Sequence, residues 1–280
     1  MFTAEGPTVR ELAVQALSST ERGYDLLAPT FDHTPFRTPD RMLDAVEEAL
    51  AQTLDGPVRA GLDLCCGTGA AIPLLRRLCR ERVTGVDFSA GMLARAERTY
   101  GTRAYGAQAY GAQGEAGPGG APGTGSGSGG GPYRDEPDVD FVRADARALP
   151  RRLAGSYDLA VSFGAFGHFL PAERPALFAG VHAALRPGGI FAFPVGAPLR
   201  PSSPAWWATV GFDAVMRVRN ALWRPPFVMY YRTFPLGGVR ADLEAAGFAV
   251  ETQPLEPFGR RPDGAPHWRL LLARRAPCTA

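Results

Sequence analysis

The sequence predicts a doubly wound α/β fold built mainly from parallel strands. Short apolar runs alternate with segments of helical periodicity along most of the 280 residues, which is the pattern of successive βα units. Gly67 and Gly69 separate the first strand from its helix, and Asp87 ends the second strand. Because nucleotide-binding α/β proteins place such groups at one edge of the sheet, we also expect a nucleoside-type ligand there.

Composition and charge exclude several other classes of protein. The chain is 45% hydrophobic with a net charge of +2, and its arginines form no basic block, so no nucleic-acid partner is predicted. The four cysteines show no metal-ligand spacing, so no metal is predicted. Their small number predicts a reducing, cytoplasmic location. No apolar run approaches the ~18 residues needed to span a bilayer.

Two amphipathic helices are predicted before the first strand. Residues 8–17 carry apolar side chains at i, i+3 and i+4, and a second helix spans residues 39–54. The segment Tyr24-Asp25-Leu26-Leu27-Ala28 lies between them. We predict that residues 1–54 form an N-terminal helical cap on the main domain, residues 55–275.

The central βα unit is Gly61-Leu62-Asp63-Leu64-Cys65-Cys66-Gly67-Thr68-Gly69-Ala70 and the following helix, which ends near residue 78. Glycines at the turn permit positive φ angles and close approach of a ligand, while the free N–H groups of the helix favour a negative group. Residues 83–87 form the second strand. Its terminal Asp87 lies 18 residues after Gly69, close to the ~20 at which a carboxylate reaches ribose hydroxyls.

The remaining elements follow the same alternation. Ser89 is a suitable N-cap for a helix that runs to about residue 99. Further strands are predicted at residues 139–143, 156–163, 190–195, 248–253 and 267–274, with helices at 174–185 and 239–246.

The spacing of the glycines argues against a dinucleotide. The third glycine of G-x-G-x-x-G would fall at Ile72, whose side chain would obstruct a pyrophosphate. Residues 63–69 instead follow the pattern Asp-x-small-x-Gly-x-Gly, and residues 86–93 read V-D-x-S-x-x-M-L. With the L-R-P-G-G run at residues 185–189, the chain resembles the class I S-adenosylmethionine (SAM) dependent methyltransferases. It is most similar to their small-molecule branch, which includes quinone-biosynthesis enzymes.

This resemblance implies a Rossmann-like, seven-stranded, mostly parallel sheet with a final antiparallel hairpin, and SAM as the cofactor. It also implies a set of cofactor contacts. On the methionine and ribose side these are Tyr24, Asp63, Cys65, Gly67, Thr68, Gly69, Asp87 and Phe163. On the adenine side they are Phe88, Met92, Asp145 and Ala146.

Several of these residues have simpler explanations. Tyr24 also suits packing on the core, Asp87 suits capping of the next helix, and Asp145 suits a turn. The adjacent Cys65 and Cys66 suit small apolar fillers.

His168 follows the fourth strand, at the crevice where the reactive end of the ligand is expected. An imidazole there is a candidate general base. Its alternative role is to cap or orient the next helix.

Two segments interrupt the alternation. Residues 101–137 are rich in glycine and are predicted to form a disordered insertion on the side away from the ligand. Residues 196–235 are rich in aromatic residues and follow a strand's carboxyl end, so we predict a lid whose rings line an acceptor pocket; a hydrophobic lid core or a dimer contact is the alternative.

The function that the resemblance implies is transfer of a methyl group, by in-line SN2 displacement, to a small and hydrophobic or aromatic acceptor. The alternatives are an NAD(P)-dependent oxidoreductase and a non-catalytic SAM-binding protein. The oligomeric state and the methylated atom, carbon, oxygen or nitrogen, are left open.

Overall fold

The computed structural model describes residues 6–101, 136–201, 203–231 and 234–277. Its centre is a seven-stranded sheet of order β3-β2-β1-β4-β5-β7-β6. Strands β1 to β5 are parallel, and β7 pairs antiparallel with both β5 and β6. The strands span β1 Val58–Leu64, β2 Cys79–Asp87, β3 Asp138–Arg143, β4 Tyr157–Val161, β5 Leu185–Gly196, β6 Phe248–Pro254 and β7 Trp268–Arg275.

The helices lie in the cap and on both faces of the sheet. They are α1 Val9–Leu17, α2 Thr20–Leu27, α3 Asp40–Thr53, α4 Ile72–Leu78, α5 Ala90–Tyr100, α6 Arg174–Ala184, α7 Pro204–Leu222 and α8 Leu236–Ala245. Among the described helices, none combines the length and apolar character needed to cross a bilayer.

The sheet separates two apolar layers. In β4, Ala160 belongs to the layer under α6 and α8, whereas Leu159 and Val161 belong to the layer under α3 and α4. Successive side chains of a strand point to opposite faces, and the apolar run of β4 is therefore buried on both. This double covering is the expected doubly wound arrangement.

Strand order places the site. Chain order reverses at β1, which pairs with β2 on one side and with β4 on the other. In open parallel sheets, ligands bind beyond the carboxyl ends at such a point. The residues after Leu64, Asp87, Arg143 and Val161 therefore surround one crevice.

The cap is attached to the core by polar contacts. Thr68 donates to Asp32 at 2.6 Å, and Asp32 forms an ion pair with Arg95 of α5 at 3.0 Å. Arg143, at the end of β3, pairs with Glu21 of α2 at 2.7 Å. The cap thus contacts the end of β3, the glycine turn and α5.

Some predicted boundaries were wrong. Strand β5 begins at Leu185, not at residue 190, and β2 begins at Cys79, immediately after α4. The predicted Pro-Gly turn remains as a bulge in β5, because Leu185 pairs with Tyr157 and the next pair is Ile190 with Leu159. Pairing with β4 thus places residues 185–189 in strand β5, although their local pattern favours a turn.

The two interruptions have different outcomes. The predicted insertion, residues 101–137, falls almost wholly outside the described residues, and its disorder stays a prediction. In the predicted lid, residues 196–235, the structure shows a long helix, α7, followed by an irregular segment whose Phe227 and Tyr230 pack on Met216 of that helix.

Candidate functional site

A cavity of about 720 Å³ lies beyond the carboxyl ends of β1 to β4. The cap covers one side with residues of α2 and of the connection to α3, while the segment after β4 forms another. Its volume falls within the ~300 to 1,000 Å³ usual for small-molecule sites. The cavity is therefore suited to a small organic ligand.

The cavity brings together nearly all residues that the sequence selected. Its lining includes Tyr24, Asp63, Cys65, Gly67, Thr68, Asp87, Phe88, Met92, Asp145, Ala146, Phe163 and His168.

Gly69 is the exception, and its predicted cofactor contact stays a prediction. A Cβ at this position would lie 2.9 Å from the Tyr100 ring, and the residue is absent from the cavity lining. Its φ is 87° and its N–H donates to Cys66 O at 2.8 Å. Gly69 therefore shapes the turn, because only glycine adopts this conformation without strain.

Asp63 supplies a negative group at the end of β1. The residue is 2% exposed, and its Oδ2 has no hydrogen-bond partner among the described residues. Burial, and next the charge of Asp87, raise the pKa of this carboxyl well above its ordinary value. An unpartnered buried carboxylate is costly, and an ammonium group in the cavity would supply the missing donors. Asp63 thus fits the amino group of a methionine moiety.

The backbone turns sharply after β1. Cys65 has a φ of 58°, in the left-handed region that non-glycine residues seldom adopt. This turn directs the Gly67 N–H to Asp87 Oδ2 at 2.9 Å. Burial raises the pKa of the Cys65 and Cys66 thiols well above the ordinary value, so both are neutral at physiological pH. Neutral thiols suit the role of small apolar fillers that the sequence indicated.

Asp87 is held by the backbone on both carboxylate oxygens. Oδ2 accepts from Gly67 and Oδ1 accepts from Ser89 N–H, each at 2.9 Å. The N-cap of α5 is Ser89, so this bond fixes the loop before the helix and is not the helix cap that the sequence left as an alternative. Because each carboxylate oxygen has a further lone pair, Asp87 also retains acceptors for ribose hydroxyls.

Asp145 is less free than the resemblance implied. It accepts from Arg147 N–H at 2.9 Å and pairs with the Arg147 guanidinium at 2.5 Å. The Arg147 hydrogen bond lowers the pKa of Asp145, which keeps this partly exposed carboxylate ionised. An adenine amino group bound here would share Asp145 with Arg147. The turn role is therefore present, and the adenine role stays a prediction.

Tyr24 and His168 are in direct contact across the cavity. Tyr24 Oη lies 2.7 Å from His168 Nε2, and His168 Nδ1 lies 2.6 Å from the carbonyl oxygen of Val228. The His168 ring thus joins the cap to the segment that follows α7. Burial lowers the pKa of His168, so the ring is neutral at physiological pH.

The sequence missed several residues of the cavity wall. Phe31, Phe36 and Arg143 line the cavity, as do Pro226 and Val228. Arg143 stands two residues before Asp145, and this proximity was an available signal. No local pattern indicated that the remaining four residues line the cavity. Their positions depend on how the cap and the irregular segment after α7 pack against the ends of the strands.

The predicted aromatic wall of the acceptor pocket is not observed. Of the described residues between 196 and 235, Pro226 and Val228 are the ones that line the cavity. Phe227 packs on α7, Phe234 stacks on Phe166 with ring centroids 4.2 Å apart, and Trp207 is 58% exposed. The contacts of Phe227 and Phe234 are those of a hydrophobic lid core, and the acceptor-lining role of the other rings stays a prediction.

The fold and the site define a class of protein. A sheet of order β3-β2-β1-β4-β5-β7-β6 with β7 antiparallel, a glycine turn after β1 and an acid after β2 are the features of a class I methyltransferase. The chain belongs to a methyltransferase family, since a family model described as a methyltransferase domain matches residues 34–253. The predicted resemblance and fold class are confirmed, and family membership favours methyl transfer over the nicotinamide alternative.

Solved structures share the fold at low identity. A 1,6-didemethyltoxoflavin-N1-methyltransferase of Burkholderia thailandensis, with bound 1,6-didemethyltoxoflavin and S-adenosylhomocysteine, is 20% identical with a TM-score of 0.53, covering 96% of this chain and 91% of that one. A SAM-dependent methyltransferase of Methanosarcina mazei is 17% identical with a TM-score of 0.51, covering 82% and 97%. Magnesium protoporphyrin IX methyltransferase of Synechocystis, with S-adenosylhomocysteine, is 19% identical with a TM-score of 0.50, covering 84% and 81%. No curated protein matches the chain.

Proposed function

We propose that the chain is a SAM-dependent methyltransferase that modifies a small, hydrophobic or aromatic acceptor. The observation that carries this proposal is the pair of buried acids, Asp63 and Asp87, on one cavity. Asp63 presents an unpartnered carboxylate oxygen, and Asp87 is fixed by two backbone N–H groups. A ligand with an ammonium group and vicinal hydroxyls matches both.

The residues divide the work of binding. Asp63 holds the methionine ammonium and Asp87 the ribose hydroxyls. Phe88 and Met92 flank the adenine, and Asp145 and Ala146 bind its edge. SAM, when bound, supplies a methyl group already activated on a sulfonium sulfur. The protein then has to align the acceptor in line with that group and exclude water.

The acceptor side of the cavity is mostly apolar. Phe31 and Phe36 come from the cap, and Val228 comes from the segment after α7. These side chains favour an aromatic or hydrophobic acceptor over a strongly charged one. In this proposal the cap and residues 196–235 together close the acceptor site.

Calorimetric titration of the purified chain with SAM, S-adenosylhomocysteine and NAD tests the cofactor. We expect both sulfur nucleosides to bind and NAD not to bind; binding of NAD alone would refute the proposal. Transfer of labelled methyl to a panel of phenols, quinones and amines, extended to small-molecule extract, then tests activity. SAM binding without any transfer would favour the non-catalytic alternative.

A further inference from the structure

We propose that Tyr24 and His168 form a proton relay that removes the proton from an O–H or N–H group of the methyl acceptor. This inference rests on the proposed methyltransferase function and adds the chemical class of the acceptor atom. Both side chains line the cavity, and Tyr24 Oη is 2.7 Å from His168 Nε2.

The contact with Val228 determines the tautomer of His168. A carbonyl oxygen only accepts hydrogen bonds, so the Nδ1 atom, 2.6 Å from Val228 O, carries a hydrogen. In a neutral imidazole the Nε2 atom is then an acceptor, and Tyr24 must donate its hydroxyl hydrogen to it. The lone pairs of Tyr24 Oη remain free to accept a hydrogen bond from an acceptor molecule.

Electrostatics keeps the relay in its starting state. Burial, and next the charge of Asp87, raise the pKa of Tyr24, while burial lowers the pKa of His168. At neutral pH the phenol is therefore protonated and the imidazole is neutral. The pair can therefore take up one proton, which ends on the imidazole ring.

The proton transfer balances in atoms and charge. As the acceptor's O–H or N–H bond breaks, its proton forms a new bond to Tyr24 Oη, and the original Tyr24 proton moves to His168 Nε2. The electron pair left on the acceptor atom receives the methyl group. One positive charge, on the methyl donor before transfer, is on the imidazole ring afterwards, and the ring loses its proton to water after the product leaves.

Three segments must meet for the relay to exist. Tyr24 belongs to the cap, His168 follows β4, and Val228 follows α7, where its N–H donates to Thr20 Oγ1 at 2.9 Å. Close packing fixes this meeting point, since a Cβ on Gly23 would lie 2.7 Å from the Phe227 ring. The relay is thus complete only when the cap and the α7 segment are both closed over the site.

The variants Tyr24→Phe and His168→Gln test the relay, with His267→Gln, an exposed histidine outside the cavity, as the control. We expect each relay variant to lower kcat by about 10²-fold or more with SAM affinity unchanged by calorimetry, because general base catalysis contributes ~10² to 10⁴. The double variant should be no slower than either single one, since the two groups act as a unit. The control should keep its kcat.

An acceptor that is already ionised at the assay pH needs no base. With such a phenol, the Tyr24→Phe variant should retain most of the wild-type methylation rate. With a less acidic phenol, the same variant should lose most of that rate. Unchanged kcat in Tyr24→Phe, or weaker SAM binding with unchanged kcat, would overturn the relay and leave Tyr24 as a cofactor contact.

Nitrogen NMR of the ligand-free protein provides a readout independent of turnover. We expect a neutral His168 with hydrogen on Nδ1 and a shift of the Nε2 signal in Tyr24→Phe. Hydrogen on Nε2 would refute the relay even if the protein methylates its acceptor. Failure of the wild type to bind SAM would instead refute the proposed function.

Discussion

Asp25 Oδ1 accepts a hydrogen bond from Ser89 Oγ at 2.6 Å and a second from the Gly91 N–H at 2.8 Å. A carboxylate of the cap thereby accepts hydrogen bonds at the N-terminus of α5, the helix that follows Asp87. Ser89 itself accepts from Met92 N–H at 3.1 Å, as an N-cap does. The cap and residues 87–91 are thus parts of one hydrogen-bond network.

Removal of this contact should loosen the cap. We expect Asp25→Ala to lower the free energy of unfolding by about 1 to 2 kcal/mol, since it removes bonds at a helix N-terminus. Urea denaturation measures this change. Asp44→Ala, at an exposed position of α3, is the matched control and should be nearly neutral. Equal stabilities of the two variants would contradict the structural role of Asp25.

Gly91 is required by close packing of the cap. A Cβ at this residue would lie 3.0 Å from both Cα and O of Asp25, so Gly91→Ala must push α2 away. Alanine normally stabilises a helix relative to glycine by roughly 0.5 to 1 kcal/mol. We expect that gain for Gly211→Ala in α7, where the Cβ meets open space, and a loss for Gly91→Ala. Thermal denaturation compares the two, and a gain in both would disprove the close contact.

Asp87→Ala should weaken SAM binding by tenfold or more. A charge-assisted hydrogen bond is typically worth ~1.5 to 3 kcal/mol, and the ribose would lose such bonds. Calorimetry measures the affinity, with Asp138→Ala, exposed at the other end of the parallel strands, as the control. Unchanged affinity in Asp87→Ala would mean that the ribose lies elsewhere.

Asp63→Asn should change the stability of the ligand-free protein and its affinity for SAM in opposite directions. The folded pKa of Asp63 is raised, so between the unfolded and folded pKa values the folded state binds more protons than the unfolded state. The free energy of unfolding of the ligand-free wild type therefore falls as pH rises through that window, and this contribution is absent in Asp63→Asn.

At neutral pH we expect Asp63→Asn to melt higher than the wild type without ligand, by roughly 2 to 4 °C per 1 kcal/mol gained. It should bind SAM at least tenfold more weakly, because the ammonium loses its counter-charge. Melting curves across pH, with and without SAM, check both effects. A lower melting temperature without ligand would show that Asp63 is not an uncompensated charge.

Deletion of residues 105–131 should leave SAM affinity unchanged. The described residues that flank this segment, Gly101 and Glu136, do not line the cavity. Tyr100, however, packs behind the glycine turn, so the deletion retains it and the next residues. A large loss of affinity would show that the insertion reaches the site.

Local patterns predicted the parts of the site that depend on near neighbours. The run from Asp63 to Gly69 specifies a strand, a tight turn and the start of a helix, and Ser89 specifies the next helix N-terminus. Each of these rests on backbone preferences within a few residues, which a single sequence displays. The glycine turn and the acid that ends β2, Asp87, could therefore be located from the order of residues alone.

Contacts between distant segments could not be predicted in this way. The bond between Tyr24 and His168 joins residues 144 positions apart, and Val228, which sets the histidine tautomer, comes from an irregular segment with no local signal. The start of β5 at Leu185 likewise depends on its neighbours in the sheet.

The sequence by itself determined a doubly wound α/β protein and predicted a nucleoside site at the ends of its first two strands. Only the tertiary structure decided which side chains close that site. Residues of the cap, Pro226 and Val228 line the cavity, whereas the described aromatic rings of residues 196–235 do not. The physical reason is that the burial of those rings depends on which surfaces pack together in the folded chain. Strand, turn and helix-capping preferences, by contrast, act within a few residues and can be recognised in the sequence.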